Sequence, residues 1–164
     1  MKKMIFALAF CLISLSAFSQ TDATTLWGEL KKQGQVSMDF SLKGTDKDGV
    51  VISDESGKGY LQGDAYRIEC GNMLICCDGT TMWLYNSDTD ELVIDYDEAL
   101  PFMKATNVKK DQKGNINATY AADDITFKVK ITNIANPASK WDKSFFVIDQ
   151  ASLGDDTIVT DLRD

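Results

Sequence analysis

Histidine is absent from the 164 residues, so no Ser-His-Asp or Cys-His nucleophile, His-ligated zinc or His-held haem can be assembled. Thiols and carboxylates are the groups whose spacing can be weighed. Cys70, Cys76 and Cys77 fall close together, yet none of their spacings is Cys-x-x-Cys, so a redox motif is not supported. In a strand, the neighbours Cys76 and Cys77 point to opposite faces. The pattern suits small buried apolar residues, with a Cys70–Cys76 bridge as the alternative. The acidic run contains Asp88, Asp90, Glu91, Asp95, Asp97 and Glu98. It lacks the ordered oxygen-ligand spacing of a calcium loop and reads as a solvated loop or a contact for a basic partner. No carboxylate pair sits in a recognisable catalytic arrangement. The expectation is a protein that is not an enzyme, with no metal and no cofactor. Asn117-Ala118-Thr119 matches a glycosylation acceptor, which matters only in a eukaryotic secretory route.

The formal charge is −8 and the isoelectric point is near 4.5. Phosphate binding needs a surplus of Lys and Arg, so nucleic acid is not an expected partner. A composition of 44% hydrophobic and 26% charged residues places the chain among globular proteins, and its length suits one domain.

Lys2 and Lys3 precede an apolar run from Met4 to Ile13, followed by small residues two apart at Ala17 and Ser19. These are the three parts of a secretory signal peptide, and the run is shorter than the ~20 residues that span a bilayer. The expected organisation is a signal peptide over 1–19 and one domain over 20–164. Removing the signal would take the charge from −8 to −10, because Lys2 and Lys3 go with it. Phe10 before Cys11 is not the small residue that a lipoprotein signal requires.

Asp22 or Thr24 can cap a short helix running to Lys32, with Leu26, Trp27 and Leu30 along one side and Gly34 to stop it. From Val36 the period becomes two: Val36, Met38, Phe40 and Leu42 alternate with Ser37, Asp39, Ser41 and Lys43. Asp48-Gly49, Gly63-Asp64, Gly71-Asn72, Asp78-Gly79 and Asn86-Ser87-Asp88 then separate short strands. A helical turn is expected between Asp97 and Ala105, and a loop or edge strand from Asn107 to Gly114. Strands resume at Ile116 to Tyr120, Ile125 to Ile131, Ser144 to Ile148 and Thr157 to Leu162. The fold class is mainly β with short helices, an α+β antiparallel sheet of neighbouring hairpins.

Such a sheet must bury an apolar face, yet little helix is available to cover it. It either closes on a filled core or curls around short helices and leaves an apolar pocket, which would hold lipid or another hydrophobic ligand. Alternation nominates Met38, Phe40, Leu42, Tyr60, Tyr66, Ile68, Trp83, Tyr85, Phe127 and Val129 as cavity candidates. Trp83 and Tyr85 share one face of their strand and Met82 and Leu84 the other, and both faces are apolar. Trp27, Leu30, Phe102 and Met103 are the lid candidates.

The run Gly59 to Tyr96 opens Gly-x-Leu, continues with a Tyr-Arg strand and closes on an Asp-Gly-x-x-x-Trp-x-Tyr-Asn hairpin at Asp78 to Asn86. It resembles the centre of the periplasmic outer-membrane lipoprotein carrier proteins (LolA family). Phe145-Phe146 and Val159-Thr160-Asp161-Leu162-Arg163 are similar to the ending of the Bacteroidetes-type branch. The resemblance covers about half of the expected mature chain in pieces. It implies an open, strongly curved antiparallel sheet (a half-barrel) with a small helical lid. It also implies a periplasmic carrier, expected as a monomer, that binds lipoproteins or other acylated lipids. Partners would be inner- and outer-membrane lipoprotein-sorting components, with the cargo moved toward the outer membrane. A lipid-sensing or protein-binding envelope adaptor on the same fold is the alternative. Many carriers have a basic residue before a proline that latches the lid; here the stretch is Gln62-Gly63-Asp64, and that latch is not carried over.

Overall fold

The structure is a computed structural model and describes residues 22–96, 105 and 107–163. The expected signal peptide, the helical turn after Asp97, and the lid candidates Phe102 and Met103 lie outside the described residues.

Among the described residues one α-helix, α1 (Ala23–Lys32), precedes ten strands. Asp22 caps α1 by accepting the Thr25 N–H at 2.8 Å, and Gly34 leaves it at φ +86°, a conformation open to glycine. The strands are β1 (Gln35–Thr45), β2 (Val51–Gln62), β3 (Ala65–Cys70), β4 (Met73–Cys77), β5 (Thr81–Asn86), β6 (Glu91–Tyr96), β7 (Lys109–Lys110), β8 (Ile116–Ala122), β9 (Ile125–Ala135) and β10 (Ile158–Asp161). They form one sheet in the order β10-β6-β5-β4-β3-β2-β1-β9-β8-β7. Every neighbouring pair is antiparallel except β10 on β6, which is parallel. The two end strands are not paired with each other, so the sheet is open.

Two sequence expectations are corrected. The sequence places one strand signal at Val50-Val51-Ile52 and begins the next strand at Tyr60; the structure joins them in β2, which pairs with β1 from Thr45↔Val51 to Gln35↔Gln62. Glycine makes this pairing close: a Cβ on Gly57 would collide with the Glu69 carbonyl oxygen and lie 2.7 Å from Phe40 Cζ. Ser144 to Ile148 is not a strand. Lys143–Phe146 forms a 3-10 turn, because Asp142 accepts the Ser144 N–H at 2.9 Å and the Val147 N–H returns to the Ser144 carbonyl. A strand would turn Phe145 and Phe146 to opposite sides. The 3-10 turn instead lets both contact Trp141.

Both faces of the sheet carry apolar side chains, and different parts of the chain cover them. On the face under α1, Leu26, Leu30, Val36, Met38, Leu61, Tyr66, Cys77, Val108, Ile116, Ala118 and Ile131 form one buried cluster. On the other face, Cys76, Leu92 and Ile94 are buried with Ile148, alongside Leu74, Trp83, Tyr85 and Leu153. The segment after β9 crosses this second face. Gln62 and Trp141 exchange two hydrogen bonds at 2.9 and 3.1 Å, and Arg67 donates to the Phe145 carbonyl at 3.2 Å. Farther on, Asp90 accepts from both Tyr85 and Thr157 at 2.9 Å, just before β10 joins β6.

The crowding at Gly57 predicts that Gly57→Ala destabilises the fold by about 1–3 kcal/mol, the range for overpacking. Urea unfolding followed by circular dichroism should show a lower midpoint, and an unchanged midpoint would contradict the close approach of β2 and β3.

Candidate ligand-binding site

Strand alternation places Met38, Phe40 and Leu42 of β1 on the α1 face. In register with them stand Gly59 and Leu61 of β2, Ile68 and Cys70 of β3, Met73 and Ile75 of β4, and Val129 and Ile131 of β9. Together with Tyr120 and Trp27, these residues line a cavity of about 280 Å³. Among the described residues no charged side chain is in its walls. Gly59 lets Met38 lie against its backbone: an added Cβ would come 3.1 Å from Met38 Cγ. Trp27 reaches down from α1 and meets the buried ring of Tyr66 edge-on, with centroids 6.0 Å apart.

Five of the ten sequence-nominated cavity residues line this space with their side chains on the α1 face: Met38, Phe40, Leu42, Ile68 and Val129. Tyr60 borders it only through its strand. Its ring lies on the opposite face, edge-on to Phe145 at 5.2 Å and Trp141 at 5.6 Å. Tyr66 is buried beneath Trp27, in the wall rather than on the lining. Phe127 stands beyond the cavity, stacked on Tyr120 at 4.9 Å. Trp83 and Tyr85 are corrected outright. Their register with Cys76 and Leu74 puts them on the face covered by the C-terminal segment. Among the described lid candidates, Trp27 lines the cavity and Leu30 is buried in the core between α1 and the sheet.

Sequence reasoning missed Cys70, Met73, Ile75, Tyr120, Leu61 and Ile131 as lining residues. The signal was present in part, since Ile131 shares parity with Val129, and Cys70 with Tyr66 and Ile68. It also missed Asp64, whose carboxylate pairs with Lys31 at 2.9 Å and ties the end of α1 to the β2–β3 turn. The Gln62-Gly63-Asp64 stretch therefore does hold the helix, through an acidic residue. The pair is exposed on the Asp64 side, where an ion pair contributes at most about 1 kcal/mol.

No disulfide links Cys70, Cys76 and Cys77 to one another. Cys70 and Cys77 face α1, whereas Cys76 faces the C-terminal segment, so opposite faces exclude the Cys70–Cys76 bridge. Burial pushes the Cys76 thiol up to about 11, against an opposing pull from the Arg67 guanidinium. Burial also raises Cys70, with the Glu55 charge adding to it. Burial raises the Tyr120 hydroxyl as well. None of these groups is activated for nucleophilic attack, which needs a lowered pKa.

Comparison with known proteins adds little to this geometry. No family model matches the chain, and no curated protein matches it. Among solved structures, an uncharacterized conserved protein from Thermus thermophilus aligns over 85% of this chain and 98% of its own, at 13% identity and a TM-score of 0.47.

Two chemical consequences can be measured. In the native protein at pH 8, Cys70 should be the first of these three thiols to be alkylated, while the fully buried Cys76 and Cys77 react only after unfolding; peptide mapping by mass spectrometry reads the order. The folded chain also holds the Cys76 proton more tightly than the unfolded chain, so the thiol's contribution to stability is intact below pH 9.0 and is lost as pH rises toward about 11. Urea midpoints across that window should fall less steeply in Cys76→Ala than in the unsubstituted protein.

Proposed function

We propose that the protein is a non-enzymatic carrier that binds the acyl chains of lipoproteins or related lipids in the cavity beneath α1. In this reading it is exported by residues 1–19 to the periplasm and works there in transfer toward the outer membrane, with membrane lipoprotein-sorting components as its partners. The observation that supports the reading is the cavity lining, which among the described residues is built from aliphatic, aromatic, sulfur and glycine residues with no charged side chain. Water in such a space finds few partners, and an acyl chain gains ~0.8 kcal/mol for each methylene it buries there. At about 280 Å³ the cavity sits near the lower end of small-molecule pockets, so it suits part of one chain, with the remainder passing out of the mouth. The sequence resemblance to the LolA family points the same way, as does the helix α1 that sets Trp27 in the cavity wall.

Release is as necessary to a carrier as binding. Dispersion and burial are graded, non-directional terms, so a chain can leave by steps without breaking a strong polar contact. Met38 and Met73 add unbranched, adaptable walls that follow chains of different shape.

The test is titration with a fluorescent fatty-acid analogue, displaced by palmitate. Phe40→Glu puts a charge into the lining and should weaken binding by on the order of tenfold or more. Trp83→Phe, on the opposite face, should leave the affinity unchanged. Bound palmitate should also slow alkylation of Cys70, which lines the cavity. Equal binding by Phe40→Glu in a folded protein would move the site elsewhere, and failure of every acyl ligand to bind would end the carrier reading.

A further inference from the structure

On the other flank of α1, toward β7, β8 and β9, lies a second space of quite different chemistry. This cleft of about 500 Å³ has an apolar floor of Leu26, Leu30 and Ile116, with Lys110, Lys113, Glu29 and the amides of Asn115, Asn133 and Asn136 around it. Lys110 and Lys113 are the cationic groups of this lining, with Glu29 as its carboxylate and Asp39 and Asp111 bonded to the Asn133 and Asn115 amides.

Most amide nitrogens at the cleft are already committed within the fold. Asn115 Nδ2 donates to Asp111 at 2.8 Å, Asn133 Nδ2 to Asp39 at 2.7 Å, and Asn136 Nδ2 to the Gln35 carbonyl at 3.0 Å. These bonds leave the amide oxygens of Asn133, Asn115 and Asn136 and the Glu29 carboxylate as acceptors. The ammonium groups are in a different state. Ion pairs among the described residues use Lys31, Lys43, Arg67 and Arg163, and neither Lys110 nor Lys113 is in one. Asp111, between them in sequence, is occupied by Asn115 and by the backbone N–H groups of Lys113 and Asn115, which hold its carboxyl below the usual range.

The backbone is also shaped at this place. The β1–β9 register shifts between Ser37 and Asp39, so that Asn133 lies in a bulge at φ +51°. Bulges of this kind re-aim side chains, and a left-handed non-glycine residue persists only where its surroundings hold it, here through Asp39.

We propose that this cleft is a second ligand site, for a phosphorylated head group that also carries hydroxyl or ammonium donors. Lys110 and Lys113 take the phosphate, Glu29 and the amide oxygens take the donors, and the apolar floor takes the carbon backbone. The assignment does not depend on what fills the apolar cavity.

The test uses the purified protein and two probes without acyl chains, glycerophosphoethanolamine and inorganic phosphate, with binding read from backbone amide NMR shifts. Glycerophosphoethanolamine should give saturable shifts at Lys110, Lys113, Gly114 and Asn133, and should bind more tightly than inorganic phosphate. Lys110→Gln and Lys113→Gln should each weaken it about two- to fivefold, the scale of an exposed ion pair, and these exposed positions should not disturb folding. Glu29→Gln should weaken glycerophosphoethanolamine and spare inorganic phosphate. Absence of saturable shifts, or shifts unaltered in the double lysine variant, would overturn the site. Equal affinity for the two probes would overturn the head-group assignment and leave a free-phosphate site. Because neither probe can occupy the apolar cavity, failure here is distinct from failure of acyl binding.

Discussion

A β-strand cannot choose which of its side chains to bury, because successive residues go to opposite faces. In β4 and β5 both alternations are apolar: Met73, Ile75, Met82 and Leu84 on one side, Leu74, Cys76, Trp83 and Tyr85 on the other. The sheet therefore needs cover on two faces, and among the described residues α1, ten residues long, is the α-helix that supplies it on one of them. A helix of that length runs ~15 Å, whereas six neighbouring strands at ~4.8 Å spacing extend ~24 Å. The cavity stands where that cover falls short.

The opposite face solves the same problem without regular secondary structure. From Asn136 to Thr157 the chain lies across the sheet, held by aromatic contacts and a few directed polar bonds. Arg67 is central to them. Its guanidinium lies 4.9 Å from the centre of the Phe145 ring, donates to the Phe145 carbonyl and pairs with Glu69 at 2.7 Å. An arginine beneath this covering segment is tolerable because its planar donors are satisfied on several sides at once. The consequence for the site is indirect. With the outer face sealed by this segment, the sheet is free to keep its other face partly open under α1.

Much of the architecture was legible in the residues. The switch to period two at Val36, the glycine- and asparagine-bearing turns, and the Asp22 cap each have a local cause, and each appears where that cause puts it. The polar run Ser53 to Gly59 was not legible, because its strand character comes from the partner strand and from close approach at glycine. Phe145-Phe146 misled for a related reason: two adjacent aromatics read as β-propensity, whereas Asp142 and the contacts to Trp141 and Tyr60 decide the conformation. The site divides along the same line. Parity within a strand correctly grouped Met38, Phe40 and Leu42, but it could not say which apolar face of β5 looks toward α1. That is settled by register across four strands, a non-local quantity that no single segment contains.

The two spaces beside α1 share a wall, and that wall is the helix itself. Trp27 projects into the apolar cavity, whereas Leu26 and Leu30 form the floor of the polar cleft. Its end is held to the β2–β3 turn by the Lys31–Asp64 pair, a contact weak enough to yield to thermal motion and salt. A displacement of α1 that opens one space therefore changes the other, since Trp27 bounds one and Leu26, Glu29 and Leu30 the other. Coupling of this kind needs no relay through the sheet. It follows from one rigid element having apolar contacts on one flank and a polar cleft on the other. A ligand that prefers one position of the helix shifts its population only by its difference in affinity for the two positions.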